Sequence, residues 1–196
     1  MSMSDATGQS SQLHPRIQEL VEYLTEHRRR LEDAVASVPA SLRERKPAPD
    51  RWSVSEVVEH LSIVEHGVAA LLARKVTAAR ANGVGPDPVT SSVVSTYDRP
   101  DAVVDRSVRI SAPAAVQPTG SVGATAGTEA LAEAHAVMMS SLHDANGVNL
   151  EGLMATHPAL GPLNMYHWVI ALALHDDRHA AQIREIGQSV AAHGDA

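Results

Sequence analysis

Four long segments of the chain carry apolar residues at the spacing of an α-helix, and this pattern constrains the fold more than any other feature. The segments are residues 13–37, 53–81, 128–147 and 162–191. The chain has no Phe, two Trp and three Tyr, so its core must be built mainly from Ala, Leu, Val, Ile and Met. These residues pack readily between helices. The sequence therefore predicts an all-α protein folded as a four-helix bundle.

Local signals predict where these helices begin and end. Ser53 and Glu56 form the Ser-x-x-Glu pattern of a capping box at the start of the second helix. The Asn-Gly pair that ends at Gly83 is typical of a helix C-terminus. Thr128 is suited to cap the third helix, and Pro162 is suited to the first turn of the fourth.

The chain is predicted to form one domain, residues 13–191, preceded by a disordered N-terminal tail, residues 1–12, that has little to bury. Residues 83–127 hold five of the eleven prolines and join the second and third helices. A connection this long in a compact domain usually crosses the bundle or covers a site, so it is predicted to be a long crossover. Alternation in residues 105–110 predicts a short extended piece within it.

Composition excludes several classes of partner. The net charge of −7 arises from 16 basic and 23 acidic residues spread along the chain, without the basic stripe that nucleic acid requires. The N-terminus does not resemble a signal peptide, and no run of about 18 apolar residues follows it, so we expect no membrane association and a cytoplasmic protein. The chain contains no cysteine, so any thiol chemistry must use a thiol from outside the protein.

Among eleven histidines, His175 and His179 are the only pair four residues apart. On a helix this spacing places both imidazoles on one face, where they can share an ion. Their neighbours are Leu, Ala and Ile, which indicates a face that is at least partly buried, and unpaired imidazoles would be costly there. His60, on the apolar face of the second helix, is the best-placed third ligand.

Three imidazoles suit Zn, Ni or Fe and leave coordination positions for water or substrate. Spacing alone leaves a simpler alternative open, in which His60 is a hydrogen-bonded core or surface histidine. We predict His14, His27, His66, His157 and His193 to be solvated. His135, His143 and His167 are predicted to take part in packing or to line a pocket.

Polar residues near these histidines allow further predictions. Glu56 lies one turn before His60 and could orient its ring, but its place in the capping box already explains it. Gln182 follows His179 by three residues and could reach the site. Asp176 and Asp177 are predicted to lie on a solvated helix face.

Three blocks of the chain resemble the DinB/YfiT-like superfamily of metal-binding four-helix bundles. They are residues 46–61, KPAPDRWSVSEVVEHL, residues 157–164, HPALGPLN, and residues 175–183, HDDRHAAQI. The resemblance spans about residues 13–190 and rests on the order and separation of these blocks.

The resemblance implies a divalent metal, commonly nickel or zinc with iron or manganese as alternatives, bound by His60, His175 and His179. It also implies a crossover between the second and third helices and a homodimer. Characterised relatives include transferases that use low-molecular-weight thiols such as bacillithiol or mycothiol, and a thiol-dependent maleylpyruvate isomerase.

Two classes of function follow. In an enzyme, the metal would activate a small-molecule thiol to attack an electrophilic substrate, or activate water with His167 or Glu59 as proton acceptor. In a non-catalytic module, the ion would cross-link helices and its fourth ligand would be a protein group. Water, substrate, Asp98 and Asp101 remain alternatives for that fourth position.

Overall fold

The computed structural model describes residues 12–107 and 110–192. These residues form five α-helices and one β-hairpin. The helices are α1 (Pro15–Ala36), α2 (Val54–Ala81), α3 (Pro100–Val104), α4 (Ala124–Asp144) and α5 (Met165–Ala192). The strands are β1 (Met154–His157) and β2 (Gly161–Asn164), which pair antiparallel. The predicted N-terminal tail, apart from its last residue, lies outside the described residues.

The four long helices form a bundle, as predicted. Helix α2 packs mainly on α4, α1 packs mainly on α5, and α2 joins the two pairs by packing on α5. The core between them is aliphatic, with Leu20, Leu72, Met138 and Ile170 all fully buried. None of the described helices combines the length and apolarity needed to cross a bilayer.

The capping box at the start of α2 is confirmed. The Glu56 amide donates to Ser53 Oγ at 3.2 Å, and the Ser53 amide donates to Glu56 Oε2 at 2.8 Å. Lys46 Nζ lies 2.7 Å from the other Glu56 oxygen. Both oxygens of the Glu56 carboxylate are therefore engaged at the N-terminus of the helix, which supports capping as the role of this residue.

The predicted start of the third long helix is wrong. Helix α4 begins at Ala124, four residues before Thr128, and its N-cap is Gly123. The Ala124 amide donates to Glu44 Oε1 at 3.3 Å, and the Thr128 hydroxyl bonds back to the Ala124 carbonyl at 2.8 Å. A carboxylate 80 residues away in the chain thus replaces the local cap that the sequence pattern indicated.

The predicted start of the last helix is also wrong, because residues 161–164 form a strand. Pro162 lies on β2 opposite Thr156, and Gly161 adopts a φ of +79°, which favours glycine. Helix α5 begins after Asn164, whose Oδ1 accepts from the His167 amide at 2.8 Å. An Asn side chain bonded to the third following amide is the usual N-cap arrangement.

The long crossover between α2 and α4 is confirmed, and its described parts contain α3 and two short 3₁₀ turns. Asp87 binds the first part of the crossover to α1 and α5. One oxygen of its carboxylate accepts hydrogen bonds from Arg16 Nη1 and from the Tyr166 hydroxyl, both at 2.9 Å. Arg178 on α5 donates to the Val103 carbonyl, in the last turn of α3, at 3.1 Å. Val108 and Arg109, in the predicted extended piece, lie outside the described residues, and the rest of that piece forms no strand.

A buried ionic cluster joins all four long helices. Arg28 of α1 contacts Glu65 of α2 through Nη2, and the same nitrogen lies 3.3 Å from Asp176 Oδ2 of α5. His135 of α4 lies 2.9 Å from the second Glu65 oxygen. Asp176 is 1% exposed, so its predicted solvated position is wrong. Its partner Arg28 is far away in sequence, and helical spacing alone could not indicate it.

Asp177 and His27 also differ from the prediction. His27, predicted to be solvated, is 5% exposed and its Nδ1 lies 2.9 Å from Asp177 Oδ2. The same oxygen accepts from Arg30 Nη1 at 3.2 Å. Asp177 is therefore half-buried at the contact between α1 and α5 instead of lying on an open face.

Candidate metal centre

His60, His175 and His179 converge at the contact between α2 and α5. Each offers one imidazole nitrogen, and these nitrogens all lie within 4.8 Å of one another. The ring centroid of His60 lies 5.3 Å from that of His175 and 5.1 Å from that of His179. No carboxylate belongs to this group among the residues that the structure describes. The structure thus brings together the three predicted ligands, while their binding of a metal stays a prediction.

The two histidines of α5 have the closest approach. Their Nε2 atoms lie 3.0 Å apart because a spacing of four residues stacks the rings on one helix face. Two nitrogens bound to one ion at roughly 2.1 Å each are about 3 Å apart at a cis angle. The observed separation therefore fits a shared divalent ion.

The His60 ring is oriented by the crossover. Its Nδ1 lies 2.6 Å from the carbonyl oxygen of Val116, and a carbonyl can only accept a hydrogen bond. Nδ1 must therefore carry the proton of the neutral ring, which leaves a lone pair on Nε2. This arrangement is the usual way in which an outer partner prepares a histidine to bind metal.

His179 is oriented in the same way by Gln182. Its Nδ1 lies 2.9 Å from Gln182 Oε1, one turn further along α5. The prediction that Gln182 reaches the site is confirmed. With the proton on Nδ1, the Nε2 lone pair of His179 faces His175, as ligation of a common ion requires.

The site is largely enclosed. His60 and His179 are 4% and 6% exposed, and the Trp52 ring lies 5.0 Å from the His60 ring. His175 is partly exposed, but its Nδ1 is buried and has no hydrogen-bond partner among the described residues. A cluster of neutral imidazoles with one unsatisfied nitrogen is costly to bury without a ligand.

Burial lowers the pKa of all three imidazoles. The pKa of His175 falls to about 3, mainly through burial and further through the neighbouring His60. Burial and the charges of His175 and His60 hold the pKa of His179 well below its usual range. For His60 the Val116 carbonyl opposes burial but does not outweigh it. All three rings are therefore neutral at pH 7, the state that can bind a metal ion.

The remaining histidines lie outside the group. His66 is exposed, as predicted, and His143 is exposed although packing or pocket lining was predicted. His167 is half-buried, with Nε2 3.0 Å from Thr96 Oγ1, and His135 packs against Glu65. These two match the predicted packing role.

Two predicted solvated histidines instead stabilise local structure. His157 is partly buried against Trp168 at a ring distance of 4.7 Å, and its Nδ1 accepts from the Ala159 and Leu160 amides in the hairpin turn. His14 is the N-cap of α1, since its Nδ1 accepts from the Arg16 amide at 3.3 Å. His193 lies outside the described residues.

The carboxylates considered as proton acceptor or fourth ligand are also elsewhere. Glu59 is 4% exposed and accepts from the Thr119 amide at 2.9 Å and the Gly120 amide at 3.2 Å. Asp98 is exposed beside Arg99, and Asp101 lies in the first turn of α3. None of these three joins the histidine group.

A polar cavity of about 450 Å³ lies beside the first turns of α2. Its walls include Lys46, Ser53 and Glu56, together with Thr119 and Gly120 of the crossover. Glu56 precedes His60 by one turn of α2, and Glu59 accepts a hydrogen bond from the Thr119 amide on the cavity wall. None of the three histidines is among the residues that line this cavity, so it is described separately from the histidine group.

The most important contact that the sequence could not reveal is the Val116 carbonyl. A backbone oxygen in a segment of Ala, Val and Pro carries no residue-type signal.

The sequence profile of the DinB superfamily matches residues 10–183 of the chain. The chain belongs to the DinB superfamily. No curated protein and no solved structure matches it significantly. The DinB profile covers all of α2 and the part of α5 that carries His175 and His179, and it confirms the resemblance carried by the three sequence blocks.

Proposed function

We propose that this protein binds one divalent metal ion through His60, His175 and His179 and uses it to transfer a low-molecular-weight thiol to an electrophilic substrate. The observation that carries the proposal is the convergence of three neutral imidazoles, with no fourth histidine and no carboxylate in the group among the described residues. Three protein ligands and open positions are typical of catalytic metal sites, whereas structural sites have a closed protein shell.

The chain's own residues would hold and orient the ion. Val116 and Gln182 fix the protons of His60 and His179 on Nδ1, so the lone pairs of both rings face the centre. The Trp52 ring lies 5.0 Å from the His60 ring at an interplanar angle of 43° and would limit access of water on that side. When bound, the ion would supply positive charge that lowers the pKa of a small-molecule thiol. Since the chain has no cysteine, that thiol must come from outside.

Transfer of a thiol is favoured over hydrolysis because, within the described part of the chain, no carboxylate or further histidine joins the group to act as a general base. Glu59 already accepts hydrogen bonds from the Thr119 hydroxyl and two amides. His167 is bonded to Thr96 and lies outside the histidine group. A thiol activated by the ion needs less help from a protein base than water does, because its unperturbed pKa is far lower.

The donor set supports zinc or nickel. Three imidazoles without a carboxylate suit these ions better than manganese, which favours oxygen ligands, and iron remains an alternative. From the family resemblance we also expect a homodimer. We further propose that the protein acts in the cytoplasm, where small thiols stay reduced.

The metal site is tested by measuring metal per chain by elemental analysis for the wild type, His175→Ala and His143→Ala. We expect near-stoichiometric metal in the wild type and in His143→Ala, whose histidine is exposed on α4. His175→Ala should lose most of it. A wild type that stays helical by circular dichroism but binds neither zinc nor nickel after reloading would contradict the site.

Catalysis is separated from a non-catalytic role by titrating the cobalt-substituted wild type with cysteamine. A sulfur-to-cobalt charge-transfer band is expected if a coordination position is open. An unchanged spectrum would instead favour the alternative in which the ion only cross-links α2 and α5.

A further inference from the structure

We propose that Arg106, on the crossover, is a positioning residue that fixes the orientation of the Gln182 amide and through it the proton of His179. The inference rests on the proposed metal site and adds to it a residue that does not touch the ion. Arg106 Nη1 lies 3.4 Å from Gln182 Oε1, the same oxygen that lies 2.9 Å from His179 Nδ1.

The side-chain amide of Gln182 can lie in two orientations. If its oxygen faces His179 Nδ1, that nitrogen must carry the proton and Nε2 keeps a lone pair. If its NH2 group faces the ring, the lone pair is on Nδ1 and the proton moves to Nε2, which then cannot bind a metal. Nothing in the contact between Gln182 and His179 alone decides between these two states.

Arg106 decides between them because guanidinium can only donate hydrogen bonds. The atom of Gln182 that faces both Arg106 and His179 must therefore be the oxygen. Turning the NH2 group toward Arg106 would place two donors against each other. The orientation of the amide, and with it the proton of His179, is thus set from the crossover.

Arg106 is itself held in place. Its Nε and Nη2 atoms bind the two oxygens of Glu185 at 3.0 Å and 2.5 Å, the paired geometry that an arginine and a carboxylate form. Gln182 and Glu185 are three residues apart on α5 and therefore lie on one face. The backbone next to Arg106 is also fixed, since Arg178 donates to the Asp105 carbonyl. Only about 20% of the Arg106 side chain is exposed.

The test compares metal affinity in Arg106→Met, Gln182→Leu, the double variant and a control, Arg30→Met. Arg30 also joins another element to α5, through Asp177, but does not reach the histidine group. The probe is Zn²⁺ added to the metal-free protein in competition with a chromophoric chelator. Outer partners of metal-binding histidines typically change affinity by about 10–100-fold.

We expect Arg106→Met to weaken Zn²⁺ binding by about 10-fold and Gln182→Leu to weaken it at least as much. The double variant should match Gln182→Leu, because Arg106 acts only through that amide. Arg106→Lys should restore part of the affinity, and Arg30→Met should bind like the wild type. In the metal-free protein, nitrogen NMR should show the His179 proton on Nδ1 in the wild type and a mixture of tautomers in Arg106→Met.

Wild-type affinity and an unchanged His179 tautomer in Arg106→Met would overturn the inference and leave the metal site intact. Additive losses in the double variant would overturn it too, since Arg106 would then act independently of Gln182. A wild type that binds no Zn²⁺ would overturn the metal site itself and this inference with it.

Discussion

Asp176 and His175 are adjacent in the chain, and burial makes the neutral form of each more stable. The pKa of Asp176 rises to about 7, because burial disfavours its charge more than Arg28 favours it. The pKa of His175 falls to about 3 for the same reason. Below about pH 7 a neutral acid and a neutral base therefore lie side by side on α5, one facing the ionic cluster and the other facing the candidate metal centre.

The raised pKa of Asp176 makes stability depend on pH. Below its ordinary value of 3.8 the carboxyl is protonated in both the folded and the unfolded chain, so the contribution to stability is fully present. Between that value and about pH 7 the unfolded chain loses this proton while the folded protein keeps it. The contribution is therefore lost as the pH rises through 7.

Asp176→Asn has no proton to lose, so it isolates this effect. The free energy of unfolding of the metal-free wild type, minus that of the variant, should fall by on the order of 4 kcal/mol between pH 4 and pH 8. Urea unfolding at several pH values measures it. Asp33→Asn, which removes an exposed carboxylate on α1, is the control. A difference that stays constant across this range would contradict the prediction.

The long helices were predictable because their signals are local. Helix α2 has helical spacing, a capping box and an Asn-Gly terminus within one segment, and its observed bounds match the prediction. The start of α4 was not predictable, since its capping carboxylate comes from Glu44 in another part of the chain. The hairpin was missed because its strands have only four residues each, and Pro162 and Gly161 resemble a loop.

The candidate site also has one part that the sequence indicated and one part that it did not. The i, i+4 pair on α5 was predictable from spacing, and the resemblance to the family indicated His60 as its third member. The Val116 carbonyl and Arg106 come from the crossover, whose path depends on tertiary contacts such as those of Asp87 and Glu59. The sequence therefore indicated the group of imidazoles but not what orients them.

The two helix starts can be compared by mutation. Ser53→Ala removes the capping hydroxyl of α2 and should lower the free energy of unfolding by about 1 kcal/mol. Thr128→Ala should change it by no more than about 0.5 kcal/mol, because Thr128 is an exposed residue inside α4 and Ala favours the helix. Urea unfolding of both variants measures the difference. Equal losses would mean that Thr128 caps α4 after all.

Binding of a metal ion at the candidate centre should stabilise the whole bundle, because the ligands come from α2 and α5, the two helices that join its halves. An ion that binds only the folded state adds about 2.7 kcal/mol at a free concentration of 100 times its Kd. For a domain of this size we expect Tm to rise by roughly 5–10 °C.

The measurement is thermal unfolding of the metal-free protein with and without Zn²⁺. His60→Ala should abolish the increase in Tm, whereas His66→Ala, an exposed histidine on the same helix, should preserve it. An equal increase in His60→Ala would show that Zn²⁺ stabilises the protein at another place.

The buried ionic cluster of Arg28, Glu65, His135 and Asp176 has a consequence for how the helices are aligned. Contacts between aliphatic side chains such as Ala, Leu and Val are non-directional, so they specify the register of neighbouring helices less strictly than hydrogen-bonded charges do. A slide of about 5.4 Å would leave a charge alone in the apolar core. The cluster thus fixes the register of the helices in the bundle. Because Asp176 directly follows His175, the ion pair that sets the register of α5 also determines the position along α2 at which the α5 imidazoles meet His60.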